Sequence, residues 1–289
     1  MNQVDIMTDT ATSMPQEMAK EYGIEVIPVY VVMDGKSYDE TEIDMDELYA
    51  RLKQRENIPT VSFPSTGEFL EAYKRISQRA ESILYISAGS RFSGLCGAAI
   101  EAKELAQEKL PRTRIEIVDS QTLCCSELFI VLEAARAARQ GKKLDEVIQI
   151  VNDMIPRMTE LSARETLFYL DKGGRIFEAK SWAEAESEVT FRAILEADDS
   201  TGGVMKPVAR AKTKTEIMQR MVDIAKERIG NKRLHAAIAH ANVPDQAEHL
   251  KQKLLSSFQC DELYITEVLA AAAVHNGEGL IDFGFYGSD

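Results

Sequence analysis

The sequence predicts an α/β protein of two domains, with a parallel sheet in the first domain and a mixed sheet in the second. Short β-branched segments alternate with helical segments up to residue 156, a hairpin pattern interrupts this order at 193–208, and the alternation then resumes. Alternation is typical of a parallel sheet covered by helices, whereas a hairpin adds antiparallel strands. We therefore place an N-terminal domain at residues 1–158 and a C-terminal domain at 159–289, with a ligand cleft between them.

Local signals mark the elements of the first domain. Strands are predicted at residues 4–8, 24–32, 83–86 and 115–118. Pro15 begins the first helix and Gly23 ends it. Ser65 and Glu68 have the spacing of a capping box, which predicts a helix over about 66–80.

The second domain shows both hairpin and alternating patterns. Strands are predicted at residues 193–196, 204–208, 234–239, 263–268 and 280–285, and helices at 213–229 and 244–258. The turn-rich segment 198–203 joins the first two strands as a hairpin. The apolar run 268–274 is interpreted as a strand that ends at His275 in a glycine-containing loop.

Composition excludes several classes of function. The 289 residues carry a net charge of -13, which disfavours binding to nucleic acid. No stretch approaches the ~18 apolar residues of a membrane span, and no secretory signal precedes the first strand, so the cytoplasm is the expected compartment. The four cysteines, Cys96, Cys124, Cys125 and Cys260, lack the spacing of a zinc site or a disulfide framework. No metal and no cofactor are expected.

Three polar residues follow predicted strands and are candidates for one ligand site. Thr60 and Ser93 offer hydroxyl groups, and His275 offers an imidazole. Residues at the ends of parallel strands converge at one edge of a sheet. A carboxylate in an apolar pocket needs several donors, and neutral hydroxyls supply them without another buried charge. A histidine can also adjust its protonation near neutral pH.

Short motifs occur in a fixed order along almost the whole chain. They are Val4-Asp5-Ile6-Met7-Thr8-Asp9-Thr10-Ala11, Thr60 with Pro64-Ser65 and Gly67-Glu68-Phe69, Ile86-Ser87 with Ser93-Gly94, Val118-Asp119-Ser120, Tyr169-Leu170 with Gly173-Gly174-Arg175-Ile176, and His275 with Gly277 and Gly279. This ordered set resembles the DegV family of bacterial fatty-acid-binding proteins. The resemblance implies a two-domain fold that buries a long-chain acyl group between its domains and presents it to a separate kinase, which phosphorylates the carboxylate.

The resemblance also implies roles for individual residues. Thr60, Ser93 and His275 match the residues that bind the acyl carboxylate. Four neighbouring residues are expected to contact these three side chains rather than the ligand, namely Ser62, Ser65, Gly94 and Gly277. A basic patch with Arg175 and Arg210 is expected to dock on the kinase, outside the acyl pocket. Because the partner must reach one face of the carrier, a monomer is expected.

The chain departs from the family pattern near His275. Glu278 stands where the pattern has proline, and Asp282 stands where it has a later glycine. Arg192-Ala193 replaces a Lys-Pro pair at the hairpin. An acidic Glu278 would disfavour a bound carboxylate unless its side chain points to solvent.

Two other classes of function remain open at this point. An acyl hydrolase would use Ser93 as nucleophile and His275 as base, although the sequence has no Gly-x-Ser-x-Gly elbow. A small-molecule phosphotransfer or sugar-binding subunit would use Asp9 and Asp119 at strand ends, although no P-loop is present.

Overall fold

The computed structural model describes residues 2–186 and 191–289, and its strands form three sheets. The strands are β1 (Asn2–Asp9), β2 (Glu25–Ile27), β3 (Tyr30–Met33), β4 (Lys36–Asp39), β5 (Thr60–Ser62), β6 (Ala80–Ser87), β7 (Arg114–Asp119), β8 (Thr159–Arg164), β9 (Arg192–Ala197), β10 (Lys206–Ala211), β11 (Arg233–His240), β12 (Cys260–Glu267) and β13 (Ile281–Ser288). The α-helices are α1 (Gln16–Tyr22), α2 (Met45–Lys53), α3 (Thr66–Ser77), α4 (Leu95–Lys109), α5 (Cys124–Arg139), α6 (Leu144–Met154), α7 (Phe168–Lys172), α8 (Lys180–Glu186), α9 (Lys214–Ile229), α10 (Pro244–Ser257) and α11 (Ala270–Asn276).

The first sheet is parallel, as predicted. Its strand order is β2-β1-β6-β7, and every neighbouring pair runs in the same direction. The central strand β6 is buried along most of its length, which suits a sheet covered on both faces. The capping box is also present, because the Ser65 hydroxyl and the Glu68 carboxylate each accept a backbone N–H of the other residue at the start of α3.

The second sheet is mixed, which confirms the predicted fold class. Its order is β10-β9-β8-β13-β11-β12. Only the pair β11 and β12 is parallel among these neighbours. The predicted hairpin is the antiparallel pair of β9 and β10, joined by a turn in which Asp198 caps a short 3-10 helix.

A third, antiparallel sheet was not predicted from the sequence. It has the order β4-β3-β5 and carries Thr60 at the start of β5. The prediction of one strand over 24–32 is wrong, because Pro28 divides this run into β2 and β3, which belong to different sheets. Proline has no N–H to donate to a ladder, so the run cannot continue through one sheet.

The secondary structure of the apolar run before His275 also differs from the prediction. Residues 270–276 form helix α11 instead of a strand. Four consecutive alanines begin this helix, and alanine has the highest helix propensity of all residues. His275 therefore lies in the last helical turn and not in an exposed loop.

The largest apolar core joins the two halves of the chain. It includes most of the buried residues of the first sheet and its helices, together with Ala237, Ala239 and the apolar residues of α11. All strands of the first and third sheets precede residue 120, and all strands of the second sheet follow residue 158. The domain boundary at 158 remains a prediction. Among the described residues, no helix is long and apolar enough to cross a membrane.

Candidate functional site

Two adjacent cavities lie where the carboxyl ends of β1 and β6 approach β8, β13 and α11. The outer cavity has a volume of about 400 Å³, and the inner cavity has about 110 Å³. Val61, Arg175 and His275 border both. A site at the carboxyl ends of parallel strands agrees with the general location of ligands in open α/β sheets.

Helix α11 is held so that His275 points into this space. Glu40 caps its first turn, because a Glu40 carboxylate oxygen accepts the Ala271 N–H at 2.8 Å and the Thr10 hydroxyl donates to the other oxygen. Gly277 ends the helix with a φ of 74°. At that φ the helix terminates directly after Asn276, which fixes the position of the imidazole.

The imidazole of His275 is neutral at neutral pH. Burial, with additional repulsion from Arg175 and Arg164, lowers the pKa of His275 to about 4. Its Nδ1 atom is enclosed and has no hydrogen-bond partner among the described residues. The pKa of His275 therefore lies below the neutral range in which an adjustment of its charge was expected. A neutral imidazole still offers one donor and one acceptor.

Ser93 and Thr60 each share a cavity with His275. Ser93 borders the inner cavity, and its Oγ accepts the Leu95 N–H at 3.3 Å where α4 begins. Its own O–H donates to no other group in the part of the chain that the structure describes, so this proton is available to a ligand. Thr60 borders the outer cavity and is exposed. Simultaneous contact of all three residues with one carboxylate remains a prediction.

Arg175 lies at the junction of the two cavities, which corrects the expectation that it lies outside the pocket. Its Nε donates to the Phe92 carbonyl at 3.2 Å, and its Nη1 donates to the Gly173 carbonyl. These two backbone acceptors hold the half-buried guanidinium beside His275, and burial lowers the pKa of Arg175. A contact between Arg175 and a partner protein remains a prediction.

Arg210 lies away from both cavities, on the exposed side of β10. Its guanidinium is 5.3 Å from the ring centre of Trp182 and 5.4 Å from that of Phe191. Cation–π contacts of this kind hold an arginine on a surface without burying its charge. This position leaves Arg210 accessible to a partner, and its docking role remains a prediction.

The four expected supporting residues have different environments. Ser65 uses its hydroxyl in the capping box with Glu68, and Ser62 ends β5. A Cβ at Gly94 would lie 2.5 Å from the Phe63 ring, and one at Gly277 would lie 2.3 Å from the Tyr169 ring. The two glycines therefore allow close packing around the site. Roles of these glycines and serines in ligand binding remain predictions.

The two acidic departures from the family pattern have opposite environments. Glu278 turns away from the cavities, where it accepts from Asn242 at 2.7 Å and pairs with Lys53 at 2.8 Å. It therefore does not oppose a carboxylate beside His275. Asp282 is 2% exposed, accepts from the Ser162 hydroxyl and borders the inner cavity.

Among the described residues, the groups that a hydrolase or a phosphotransfer subunit would use have other contacts. Within residues 2–186 and 191–289, no hydrogen bond joins Ser93 to His275 and no carboxylate orients the imidazole. Asp9 caps a short 3-10 helix and also accepts from Tyr85 at 2.7 Å. Asp119 accepts the backbone N–H groups of Ser90 and Gln121. Both aspartates thus have structural partners.

One group of potential metal ligands is buried behind the inner cavity. Atoms of Cys124, Cys125 and Glu160 lie within 4.8 Å of one another. A hydrogen bond with Cys125, together with burial, raises the pKa of Cys124, and burial raises the pKa of Glu160. Protonated groups are poor metal ligands, and Glu160 already accepts the Ser126 N–H at 2.7 Å. The trio is better explained as a packed polar cluster.

Comparisons with known proteins agree with this fold along the whole chain. The model of the DegV family matches residues 3–287. A DegV domain-containing protein of Clostridium perfringens is 30% identical over 275 residues, which is 95% of each chain. The chain belongs to the DegV family.

Solved structures of similar proteins have the same fold. A DegV family protein from Thermus thermophilus, described as fatty acid binding, matches with a TM-score of 0.90 and 24% identity over 99% of this chain and 100% of its own. A stearic acid-binding protein from Eubacterium ventriosum matches with a TM-score of 0.88 and 18% identity over 99% of this chain and 98% of its own. Fatty acid binding is therefore known for DegV proteins of this fold.

Two features of this DegV site were not predicted from the sequence. The first is the inward position of Arg175, which depends on the carbonyl groups of Phe92 and Gly173. The second is Arg164, which ends β8 and borders the inner cavity while only 2% exposed. The only sequence signal for Arg164 is a charged residue at a strand end, and such residues are mostly exposed.

Two adjacent glycines allow a direct test of the position of His275. A Cβ at Gly173 would lie 2.7 Å from the His275 Nδ1, whereas a Cβ at Gly174 would meet nothing within 4 Å. We expect Gly173→Ala to displace the imidazole and weaken fatty-acid binding by about 1.5 to 3 kcal/mol, the range of a hydrogen bond to a charged group. Titration with a fluorescent fatty acid would measure this loss.

Gly174→Ala is the matched control. Gly174 has a φ of 71°, so alanine there is expected to cost about 1 to 2 kcal/mol of folding free energy without moving the imidazole. Its fatty-acid affinity should equal that of the wild type. Equal affinities for wild type and Gly173→Ala would show that His275 does not contact the carboxylate.

Proposed function

We propose that this chain binds a long-chain fatty acid in the adjacent cavities and presents its carboxylate to a separate kinase, which converts it to an acyl phosphate. The carboxylate accepts hydrogen bonds from Thr60, Ser93 and His275. The observation that supports this proposal is that His275 borders both cavities, while Ser93 borders the inner one and Thr60 the outer one. The chain itself contributes no catalytic group.

The polar groups at the entrance suit an anion. The Ser93 hydroxyl proton has no acceptor among the described residues, the neutral imidazole can donate one N–H, and Arg175 adds positive charge beside them. A carboxylate loses its hydration when it enters such a site, so several donors are required to compensate. A hydrogen bond between a neutral donor and a carboxylate is stronger than one between neutral groups.

The walls of the inner cavity suit an acyl tail. They include Val29, Leu95, Leu123, Leu170 and Met205. A volume of about 110 Å³ is below that of a cavity that holds benzene, about 150 Å³, so a long tail requires these side chains to move. Met205 has three rotatable bonds and can adapt. At ~0.8 kcal/mol per buried CH₂, a long tail contributes roughly 10 kcal/mol before the costs of association.

Presentation to a kinase is supported by the arrangement of the cavities. Buried and half-buried residues border the inner cavity, whereas the exposed residues Thr60 and Lys172 border the outer cavity. A tail in the inner cavity would leave the carboxylate at the junction, close to solvent. A phosphorylating enzyme could then reach the carboxylate while the tail stayed buried.

Extraction of the purified protein tests ligand binding. A buried acyl chain exchanges slowly, so we expect a fatty acid to copurify in an amount close to one per chain. Mass spectrometry of the organic extract would identify it. An empty extract, together with no binding of added fatty acid, would contradict the proposal.

Ser93→Ala tests the contact with the carboxylate. Loss of one charge-assisted hydrogen bond is expected to weaken fatty-acid binding by about 1.5 to 3 kcal/mol with the fold intact. Ser256→Ala is the control, because its exposed hydroxyl donates to the Lys253 carbonyl on α10 and borders neither cavity, so its loss should change stability by no more than about 0.5 kcal/mol and leave binding unchanged. Titration with a fluorescent fatty acid measures the affinity of both variants. Full affinity in Ser93→Ala would remove Ser93 from the site.

A further inference from the structure

The outer cavity is bordered by basic side chains. Arg55, Lys172 and Arg175 border it together with His275. Among the described residues around this cavity, none is an aspartate or a glutamate, although the whole chain has a net charge of -13. A cleft with charges of one sign concentrates ligands of the opposite sign. The outer cavity therefore favours an anion.

Two of these cations have no anionic partner. In the described part of the chain, Arg55 and Lys172 form no hydrogen bond and no ion pair within 4.0 Å, and both side chains are exposed. Each contacts the ring of Phe168, whose centre is 4.7 Å from the Arg55 Cζ and 5.8 Å from the Lys172 Nζ. An aromatic ring attracts a cation but leaves its charge unneutralised. Phe168 thus holds two positive charges at the cavity and leaves both available to a ligand.

Acidic residues close to this lining along the chain are engaged elsewhere. Glu56 borders a different cavity, beside α2. Three others form ion pairs with lysines that do not border the outer cavity, namely Asp171 with Lys180 at 2.7 Å, Glu178 with Lys206 at 3.9 Å, and Glu278 with Lys53 at 2.8 Å. The excess of positive charge at the outer cavity is therefore not compensated by these neighbours.

The two unpaired cations lie on the outer side of the proposed carboxylate position. Arg175 and His275 border both cavities, whereas Arg55 and Lys172 border only the outer one. A carboxylate at the junction has Arg175 beside it. Phosphorylation attaches a phosphoryl group to a carboxylate oxygen, and so extends the ligand away from its tail. The added group carries up to two negative charges and three acceptor oxygens.

We infer that Arg55 and Lys172 bind the phosphoryl group of the acyl phosphate, so that the outer cavity holds the phosphorylated ligand more tightly than the fatty acid. The inference rests on the proposed function, which supplies the acyl phosphate. Guanidinium and ammonium groups both bind phosphate oxygens through charge-assisted hydrogen bonds. The cavity volume of about 400 Å³ is more than ten times the ~30 Å³ of one water molecule, so a phosphoryl group has space there.

An acidic surface of a partner protein is the other candidate for these two cations. Their position favours the phosphoryl group, because they border a concave space that they share with His275. Arg210, in contrast, lies on the surface away from both cavities, where a flat partner can reach it. The two candidates differ in one respect that can be measured without a kinase, namely the affinity for a phosphorylated ligand.

Matched ligands test the inference in the purified wild-type chain. The β-keto phosphonate of palmitic acid has a CH₂ group in place of the bridging oxygen of palmitoyl phosphate, so it keeps the charge without the labile anhydride bond. Its binding and that of palmitic acid are measured by calorimetry at pH 8, after removal of copurified lipid. We expect the phosphonate to bind at least about tenfold more tightly at low salt, because it adds charge-assisted hydrogen bonds. High salt should reduce this ratio, since exposed charges are screened.

Paired variants locate the effect. In Arg55→Met with Lys172→Met, the ratio of affinities should fall to near one, while palmitic acid binds within about threefold of its wild-type affinity. Lys172→Met alone should give an intermediate ratio, and it serves as the test if the pair does not fold. Arg220→Met with Lys226→Met is the matched control, because it removes the same two kinds of charge from exposed positions on α9 that border neither cavity. It should keep the wild-type ratio.

Several outcomes would overturn the inference and leave fatty-acid binding intact. They are equal affinities of the phosphonate and palmitic acid for the wild type, a preference for the phosphonate that persists in the Arg55 and Lys172 pair, and an equal loss of preference in the control pair. Equal weakening of both ligands in the Arg55 and Lys172 pair would assign these cations to the carboxylate instead. Binding of inorganic phosphate alone as tightly as the phosphonate would indicate a site for free phosphate.

Two further outcomes concern the partner and the proposed function. An unchanged ratio in the Arg55 and Lys172 pair, together with slower acyl-phosphate formation by a cognate kinase, would assign these cations to docking and overturn the inference. Failure of both palmitic acid and the phosphonate to bind the wild-type chain would overturn the proposed function itself.

Discussion

Replacing Arg175 with methionine is expected to weaken fatty-acid binding by about 2 kcal/mol or more, roughly thirtyfold. The guanidinium borders both cavities and lies beside His275, whose pKa it lowers. Methionine retains an unbranched apolar chain of similar reach, so the change removes mainly the charge and its donors. A carboxylate in the junction would then lose the positive charge of this guanidinium. Titration at pH 8, where His275 is neutral in both proteins, would measure the effect.

Arg175→Lys should recover part of the lost affinity. Lysine keeps the charge, but it lacks the planar fork that donates to both the Phe92 and Gly173 carbonyls. Its ammonium group is therefore held less firmly at the junction. Wild-type affinity in Arg175→Met would show that the carboxylate lies elsewhere in the cavities.

Arg210→Ala tests partner docking and is the control for the effect of Arg175 on fatty-acid binding. Its guanidinium lies over Trp182 and Phe191, away from both cavities, so fatty-acid affinity should be unchanged. If Arg210 contacts the kinase, acyl-phosphate formation with a cognate kinase and ATP should slow at low salt. Higher salt should reduce the difference from wild type, because exposed charges are screened beyond ~10 Å at 0.1 M ionic strength. An unchanged rate at low salt would remove Arg210 from the docking face.

Local sequence signals predicted most of the secondary structure and the fold class. Helix α3 begins at the predicted capping box, and Gly23 ends α1 with a φ of 70°. These features depend on a few adjacent residues, so one sequence contains the information. The strand predicted over 24–32 is wrong because Pro28 has no N–H for a ladder and interrupts the run. The strand predicted over 268–274 was wrong because alanine favours helix, whatever its hydrophobicity.

The candidate site was only partly predictable. Thr60, Ser93 and His275 are candidates from the sequence, and the structure places the first two beside cavities that His275 also borders, while their contacts with a ligand remain a prediction. The inward position of Arg175 and the burial of Arg164 depend on contacts between distant parts of the chain. A charged residue after a strand is usually exposed, so its burial cannot be predicted before the packing of the sheets is known.

Gly284→Ala is expected to destabilise the protein by about 3 kcal/mol or more, the largest effect on folding predicted here. A Cβ at Gly284 would lie 2.4 Å from the Ser126 nitrogen and 2.5 Å from the Cys125 carbonyl carbon. Both are backbone atoms at the start of α5, so no side-chain rotation can relieve the clash. The helix would have to move away from β13. Thermal unfolding should show a decrease in Tm of roughly 5 to 10 °C.

Gly97→Ala is the matched control, because a Cβ at Gly97 within α4 would meet nothing within 4 Å. Alanine there should stabilise the protein by about 0.5 to 1 kcal/mol through its higher helix propensity. The start of α5 also supplies Cys124 to the wall of the inner cavity, and β13 supplies Asp282. Separation of these elements in Gly284→Ala should therefore weaken fatty-acid binding as well as folding, whereas Gly97→Ala should leave binding unchanged. A Tm of Gly284→Ala equal to that of the wild type would show that α5 and β13 do not pack as closely as their contact at Gly284 requires.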